Sequence, residues 1–283
     1  MTIKATPEDI HEIAGLVSDL CGIVLDESKG YLIESRLSGI AEANDCTTFS
    51  ELCVEIRFDN NQKLKNDVID AITTNETLFF RDESHYEALH HKAIPELIDA
   101  KAKTAFPKRL RLWSAACSTG QEPYSLAILL HELIPNIETY DIQILATDIS
   151  DAAIQQASSG CYSNFEIERG MNPESLNTYF EKTPKGWKVK DRLRSLVQFK
   201  KMNLLQPFNQ LGMFDVVFCR NVAIYFDGEG RRDLFERIVN QMTPEGVLIV
   251  GSSESLMDLG PQFEPQHYCR AIFYQPHRVA APV

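Results

Sequence analysis

Two rhythms of hydrophobic positions divide this chain. In its first 80 residues apolar side chains recur at three- and four-residue intervals. Ile10, Ile13, Val17 and Leu20 share one helical face, Ile33, Leu37, Ile40 and Ala41 repeat the spacing, and Leu64, Val68, Ile69 and Ile72 mark a further helix. Thr6 suits an N-cap, with Pro7 at the first helical position and Glu8 and Asp9 in the first turn. Thr48 and Glu51 have the spacing of a capping box ahead of Leu52 and Ile56. No strand-like alternation interrupts this pattern, which predicts a small all-helical domain over residues 1–80.

From about residue 110 short apolar runs alternate with amphipathic helices. The runs are Leu110–Ala115, Ile142–Ala146, Val197–Phe199, Val216–Cys219 and Val247–Val250, and the helices fall near Pro123–Leu133, Ala152–Ser158 and Glu229–Gln241. Such alternation predicts parallel strands joined by crossover helices, an α/β domain over 81–283. Pro244-Glu245-Gly246 reads as a turn before the fifth run, and Ala271–Tyr274 as a final, antiparallel edge strand. The third strand arrives late because residues of about 161–195 form an insert. There Asn172-Pro173-Glu174 opens a short helix through Glu181, Pro184-Lys185-Gly186 makes a turn, and Trp187, Val189 and Leu193 follow at strand-like spacing. This predicts a small hairpin-bearing β-subdomain.

Composition narrows the class. No run of roughly 18 apolar residues occurs, so no membrane span is expected, and Met1 to Pro7 does not resemble a secretory signal. The seven cysteines contain no Cys-x-x-Cys pair and read as reduced thiols of a cytoplasmic protein, without a metal site. His90 and His91 are neighbours on a helix and should diverge rather than share a ligand. A net charge of −12 argues against nucleic acid as a partner. That charge is uneven: residues 1–85 carry 7 basic and 17 acidic side chains, whereas residues 152–201 carry 9 basic and 5 acidic ones. The basic insert is either a solvated face or a surface for an acidic protein.

Candidate chemistry clusters at the ends of the strands. The first strand runs into Ala116-Cys117-Ser118-Thr119-Gly120-Gln121-Glu122, whose small residues let a ligand approach the backbone. Only Gly120 is a glycine, so the dinucleotide fingerprint is missing. Glu122 would repel a phosphate but can accept hydrogen bonds from an ammonium group; a plain helix N-terminal acid is the alternative. Asp148, ending the second strand, is placed for ribose hydroxyls, or else for capping the next helix. Arg220 and Asn221 follow the fourth strand and Asn203 the third, at tips that face the ligand crevice of an open sheet. Phe79, Phe80 and Arg81 in the linker read equally as packing with a surface ion pair to Asp82.

Together three segments resemble the CheR chemotaxis receptor methyltransferases: Asn75-x-Thr77-x-Phe79-Phe80-Arg81, Ser118-Thr119-Gly120-x-Glu122-Pro123-Tyr124-Ser125, and Cys219-Arg220-Asn221-Val222-x-Ile224-Tyr225-Phe226. Their order, the helical domain before them and the insert match as well. The resemblance implies a Rossmann-like class I methyltransferase domain, S-adenosyl-L-methionine as methyl donor with S-adenosyl-L-homocysteine as product, no metal, and a monomer acting on cytoplasmic domains of methyl-accepting receptors. It assigns cofactor contacts to Asn75, Thr77, Arg81, Glu122, Asp148, Asn203, Leu204, Arg220 and Asn221, and ties Arg81 and Tyr225 to the reaction centre. Relatives that grip a receptor's C-terminal pentapeptide carry a longer glycine-containing loop than Lys182–Gly186, which points to a member without that tether. Relatives also present basic residues on the second helix; here Lys29 and Arg36 are the main ones, so docking would rest more on the basic insert.

The reaction so implied needs no general base. A glutamate side chain has a pKa near 4.3 and is already an anion at neutral pH. What the protein must supply is positioning and exclusion of water. The competing readings are a methyltransferase of the same fold with another acceptor, a chemosensory module that binds the cofactor without turnover, and a nicotinamide enzyme, against which the missing glycine fingerprint counts.

Overall fold

A computed structural model describes residues 3–58 and 62–277 of the 283-residue chain, so the outermost ends of both predicted domains lie outside the described residues. Four helices come first: α1 (Pro7–Cys21), α2 (Gly30–Ala43), α3 (Phe49–Phe58) and α4 (Lys63–Ile72). Both predicted N-terminal devices are present. Thr6 and Asp9 form a reciprocal capping box at α1, and Thr48 and Glu51 do the same before α3. The periodic residues meet in one core, in which Ile13, Ile33, Leu37, Phe49, Leu52 and Val68 have no solvent exposure. Each such side chain contributes roughly 1.5–3 kcal/mol by burial.

Helices α5 (Glu83–Ala88) and α6 (Ile94–Lys101) follow, joined without a break by a wide π-type turn over Leu89–Ala93. Pro95 accounts for the wide turn: it has no N–H, and its ring crowds the carbonyl one turn back. The expected divergence of His90 and His91 is corrected here. Widening the turn brings their Nδ1 atoms to 3.3 Å.

Then come β1 (Arg109–Ala115), α7 (Gln121–Leu133), β2 (Asp141–Asp148) and α8 (Asp151–Ser159). The insert holds β3 (Cys161–Tyr162), α9 (Asn164–Glu168), α10 (Pro173–Tyr179), β4 (Phe180–Thr183), β5 (Gly186–Val189) and α11 (Asp191–Arg194). Strands β3, β5 and β4 make an antiparallel sheet of three. The insert's helix therefore stops at Tyr179 rather than Glu181, because Phe180–Thr183 pairs with Gly186–Val189, and Leu193 falls on a helical turn rather than a strand. The chain closes with β6 (Val197–Lys201), β7 (Phe214–Cys219), α12 (Gly228–Val239), β8 (Met242–Ile249), β9 (Phe263–Tyr268) and β10 (Ala271–Pro276).

The main sheet runs β6-β2-β1-β7-β8-β10-β9. Its first five strands are parallel, and β10 and β9 add to the edge antiparallel. Side chains alternate between two cores, as the two-residue period of a strand requires. Leu110, Leu112, Val216 and Phe218 enter one, and Trp113, Ala115, Val217 and Cys219 the other. Strand order reverses between β1 and β7. At such a switch point the loops leave in opposite directions and open a crevice at the carboxyl ends of the strands. Among the described residues no helix is long and apolar enough to cross a membrane.

Candidate active site

A cleft with about 910 Å³ of empty space lies at that switch point. All ten residues singled out from the sequence line it: Asn75, Thr77, Arg81, Glu122, Asp148, Asn203, Leu204, Arg220, Asn221 and Tyr225. They arrive from four directions, namely the linker after α4, the β1–α7 loop, the tips of β2 and β6, and the β7 tip.

The β1–α7 loop curls tightly. Ala116, Ser118 and Gly120 all have positive φ, of 61°, 50° and 95°. At Gly120 the need for glycine is packing, since a Cβ would stand 2.8 Å from Ala157 Cβ and 2.9 Å from the Tyr162 hydroxyl. The curl delivers the Ser118 N–H to Asp148 Oδ2 at 2.8 Å. Asp148 Oδ1 accepts from the Ser150 N–H at 2.9 Å. Ser150, not Asp148, caps α8 by accepting from Ala153 N. The carboxylate of Asp148, 6% exposed, is thus left facing the cleft as well as holding the loop. Burial pushes its pKa up, and the N–H donors oppose that rise.

Glu122 sits in the first turn of α7, where a helix favours an acid. It also belongs to a buried network. Ser114 Oγ donates to its Oε1 at 2.6 Å and Arg220 Nη1 to its Oε2 at 3.1 Å. Desolvation raises its pKa, and the Arg220 guanidinium and the Ser114 hydroxyl work against that. Arg220, its side chain 2% exposed, also gives Nη2 to the Arg81 carbonyl at 2.7 Å and to Asp82 Oδ2 at 2.6 Å. Two carboxylates on one guanidinium keep it charged in spite of burial. Arg81 therefore forms no ion pair with Asp82; Arg220 has taken that partner. Arg81 Nη1 donates to the Glu76 carbonyl at 3.1 Å, and among the described residues no carboxylate lies within ion-pair distance of the Arg81 guanidinium.

The opposite wall comes from the helical body. Cys21 and Ile23 line the cleft, the Leu20 carbonyl accepts from Asn203 Nδ2 at 2.8 Å, and the Val24 N–H donates to the Tyr225 carbonyl at 2.8 Å. Asn221, at φ 56°, gives its N–H to Glu254 Oε2 at 2.7 Å, which also accepts from Gly251 N at 2.7 Å. Sequence reasoning missed Glu254, Asp82 and the Cys21–Ile23 wall. Only the short, polar-rich segment after the β8 run hinted at the first, and the Gly22 helix end at the last.

The lining of this cleft suits an adenosine-type ligand. Asp148 offers a buried acceptor for vicinal hydroxyls, and Ile23, Ile149, Met202, Leu204, Val222 and Phe226 supply apolar wall. Among the described residues no group of three or more metal-ligating side chains gathers. The second-helix arginine is a correction. Arg36 is not a free docking cation, because its Nη1 donates to the Ile72 and Thr73 carbonyls at 2.7 and 3.2 Å and so fastens the end of α4.

Residues 75–271 match the family model described as the SAM binding domain of CheR methyltransferase, and residues 8–73 the one described as its all-alpha domain. The chain is 43% identical over 271 residues to Chemotaxis protein methyltransferase 1 of Pseudomonas aeruginosa, covering 94% of this chain and 95% of that one. It is 40% identical to Chemotaxis protein methyltransferase Cher2 of Pseudomonas putida, over 94% and 97% of the two chains. Against the Chemotaxis protein methyltransferase of Vibrio parahaemolyticus the identity is 36%, over 96% and 98%.

Proposed function

The chain belongs to the CheR methyltransferase family, and from that premise we propose that it moves the methyl group of S-adenosyl-L-methionine onto glutamate side chains in the cytoplasmic domain of a chemoreceptor. The observation that carries the acceptor assignment is the division of labour between two arginines. Arg220 is sealed by Glu122 and Asp82, whereas Arg81 lines the same cleft with no carboxylate at ion-pair distance among the described residues, Glu122 acting on its charge only from farther off. A planar guanidinium with free N–H groups suits the two oxygens of an incoming carboxylate.

When bound, the cofactor supplies an electrophilic methyl on a sulfonium. Asp148 is assigned to its ribose hydroxyls, with Asn75, Thr77, Glu122, Asn203, Leu204, Arg220 and Asn221 forming the rest of its wall. Arg220 acts there chiefly by neutralising Glu122 and holding the linker. Arg81 orients the acceptor carboxylate, and the Tyr225 hydroxyl steadies the reacting end. No proton leaves the acceptor, so no base is required. The loop at Cys21–Ile23 helps shut water out of a site where opposite charges disappear as the bond forms. Site of action in the cytoplasm follows from the receptor domain proposed as substrate.

Steady-state kinetics on a receptor cytoplasmic fragment tests this. Tyr225→Phe should lower kcat with cofactor affinity nearly intact, and Arg81→Ala should lower kcat/KM for the acceptor by about 100-fold. Normal turnover in the Arg81 variant would remove it from the acceptor site.

A further inference from the structure

Arg81 is presented by an unusual stretch of backbone. The residues on both sides of it are left-handed, Phe80 at φ 50° and Asp82 at φ 57°. Neither is a glycine, and a conformation of this kind persists only where the surroundings fix it. Two anchors are visible. On one side the Phe80 N–H donates to Ser125 Oγ at 3.0 Å. On the other, a single atom, Arg220 Nη2, holds the Arg81 carbonyl at 2.7 Å and Asp82 Oδ2 at 2.6 Å. Against the pull of burial, the same Arg220 lowers the pKa of Asp82, so its carboxylate stays charged in this grip. The Asp82 carboxylate thus joins the linker to the tip of β7, a strand that bounds the cleft.

We propose that Asp82 is a positioning residue for methyl transfer: its carboxylate, gripped by Arg220, locks the left-handed turn that aims Arg81 at the acceptor. This rests on the reading of Arg81 as the acceptor-orienting group. Asp82 is not among the residues that line the cleft. It acts by fixing where the Arg81 side chain begins, and a displacement of about 1 Å in a reacting constellation costs on the order of 100-fold. Arg220, buried between Glu122 and Asp82, serves as the fixed point because Glu122 holds it independently of the linker.

Two substitutions separate the carboxylate from the backbone shape. Asp82→Gly keeps the left-handed turn accessible and deletes the carboxylate. Asp82→Asn keeps both the turn and an acceptor oxygen for Arg220. Each is assayed with methyl-labelled cofactor and a receptor fragment, counting total label on protein before mild base and volatile label after it, with cofactor Kd measured by calorimetry. Asp82→Gly should lose about 10- to 100-fold in kcat/KM for the acceptor with cofactor Kd within about threefold, and Asp82→Asn should recover most of the loss. Wild-type kcat/KM in Asp82→Gly overturns the proposal, as does a parallel loss of cofactor affinity that Asp82→Asn fails to rescue. Label that resists base in every variant refutes the glutamate acceptor and leaves the Asp82 comparison readable from total counts. No transfer even by the wild type removes both.

Discussion

Asp148 shows how one side chain serves fold and site together. Its two oxygens hold the Ser118 and Ser150 N–H groups and so shape the loops on both sides of the cleft. Asp148→Ala should weaken cofactor binding by about 1–3 kcal/mol in calorimetry, the cost of a lost charged acceptor and two orphaned donors. Asp148→Asn should cost less. Unchanged affinity in the alanine variant removes Asp148 from the site. His85 makes a different prediction. Buried beside Arg220, and with no partner for its Nδ1 among the described residues, it has its pKa pushed down, chiefly by desolvation, from 6.5 to about 4. The unfolded chain binds that proton near 6.5, and the folded one only near 4. Between those values the unfolded state carries more protons, so stability falls as pH drops through this window, by about 3 kcal/mol at its lower end. The His85 ring resonances should stay in the neutral form at pH 5.5; an inflection near 6.5 contradicts this environment. Asp148, Asn203, Arg220 and Asn221 were legible as candidates because each ends or follows an apolar run where a strand must end, whereas Asn75, Thr77, Arg81, Leu204 and Tyr225 came only from the family resemblance. The partners of these side chains were not legible. That Arg220 rather than Arg81 holds Asp82 depends on the β7 tip meeting the linker, a contact 138 residues apart.

At the level of elements, legibility followed pattern strength. Four of the parallel strands and the helices of the amino-terminal body stand out because their apolar runs are strong and buried, and β6 stands out by its apolar residues although it is only partly buried. Strand β9 does not, since Phe263-Glu264-Pro265-Gln266-His267-Tyr268 is polar, contains proline and lies at the sheet edge, where a missing N–H is tolerated. Its presence puts β10 inside the edge rather than at it. The turn at Pro244–Gly246 lies within β8 as a bulge, between the pairs Phe214↔Met242 and Val216↔Val247. The cations of the insert also look different in three dimensions. Lys190 and Arg192 hold carbonyls at the end of α10, Arg194 pairs with Asp191, Arg169 with Glu76, and Lys201 with Asp151. Much of this charge holds the insert's own segments together, and Arg169 ties the insert to the linker. The joint between the helical body and the sheet turns on Gly22, left-handed at φ 77°. A methyl there would enter the Phe226 ring. Gly22→Ala should move the Cys21–Ile23 wall and raise the cofactor Kd by about 10-fold or more, by strain at this φ and by the clash. Calorimetry giving the wild-type Kd contradicts the role of this loop as a cleft wall.

For the whole molecule, the crevice is a consequence of topology. Strand order reverses between β1 and β7, and the linker and the α1 end close over the gap that this leaves. The helical body therefore supplies part of the cleft's wall, which periodicity alone does not reveal. The net charge of −12 sits on a chain proposed to meet an acidic acceptor, so the cation that Arg81 brings to the cleft matters more than the overall balance. The central claim is transfer of a methyl group to a carboxylate oxygen, and one measurement reaches it directly. Purified protein is incubated with methyl-labelled S-adenosyl-L-methionine and a chemoreceptor cytoplasmic fragment, and the product is treated with mild base. The account predicts label on the fragment that base releases as volatile methanol. Label that stays on the fragment, or cofactor binding with no transfer, contradicts it.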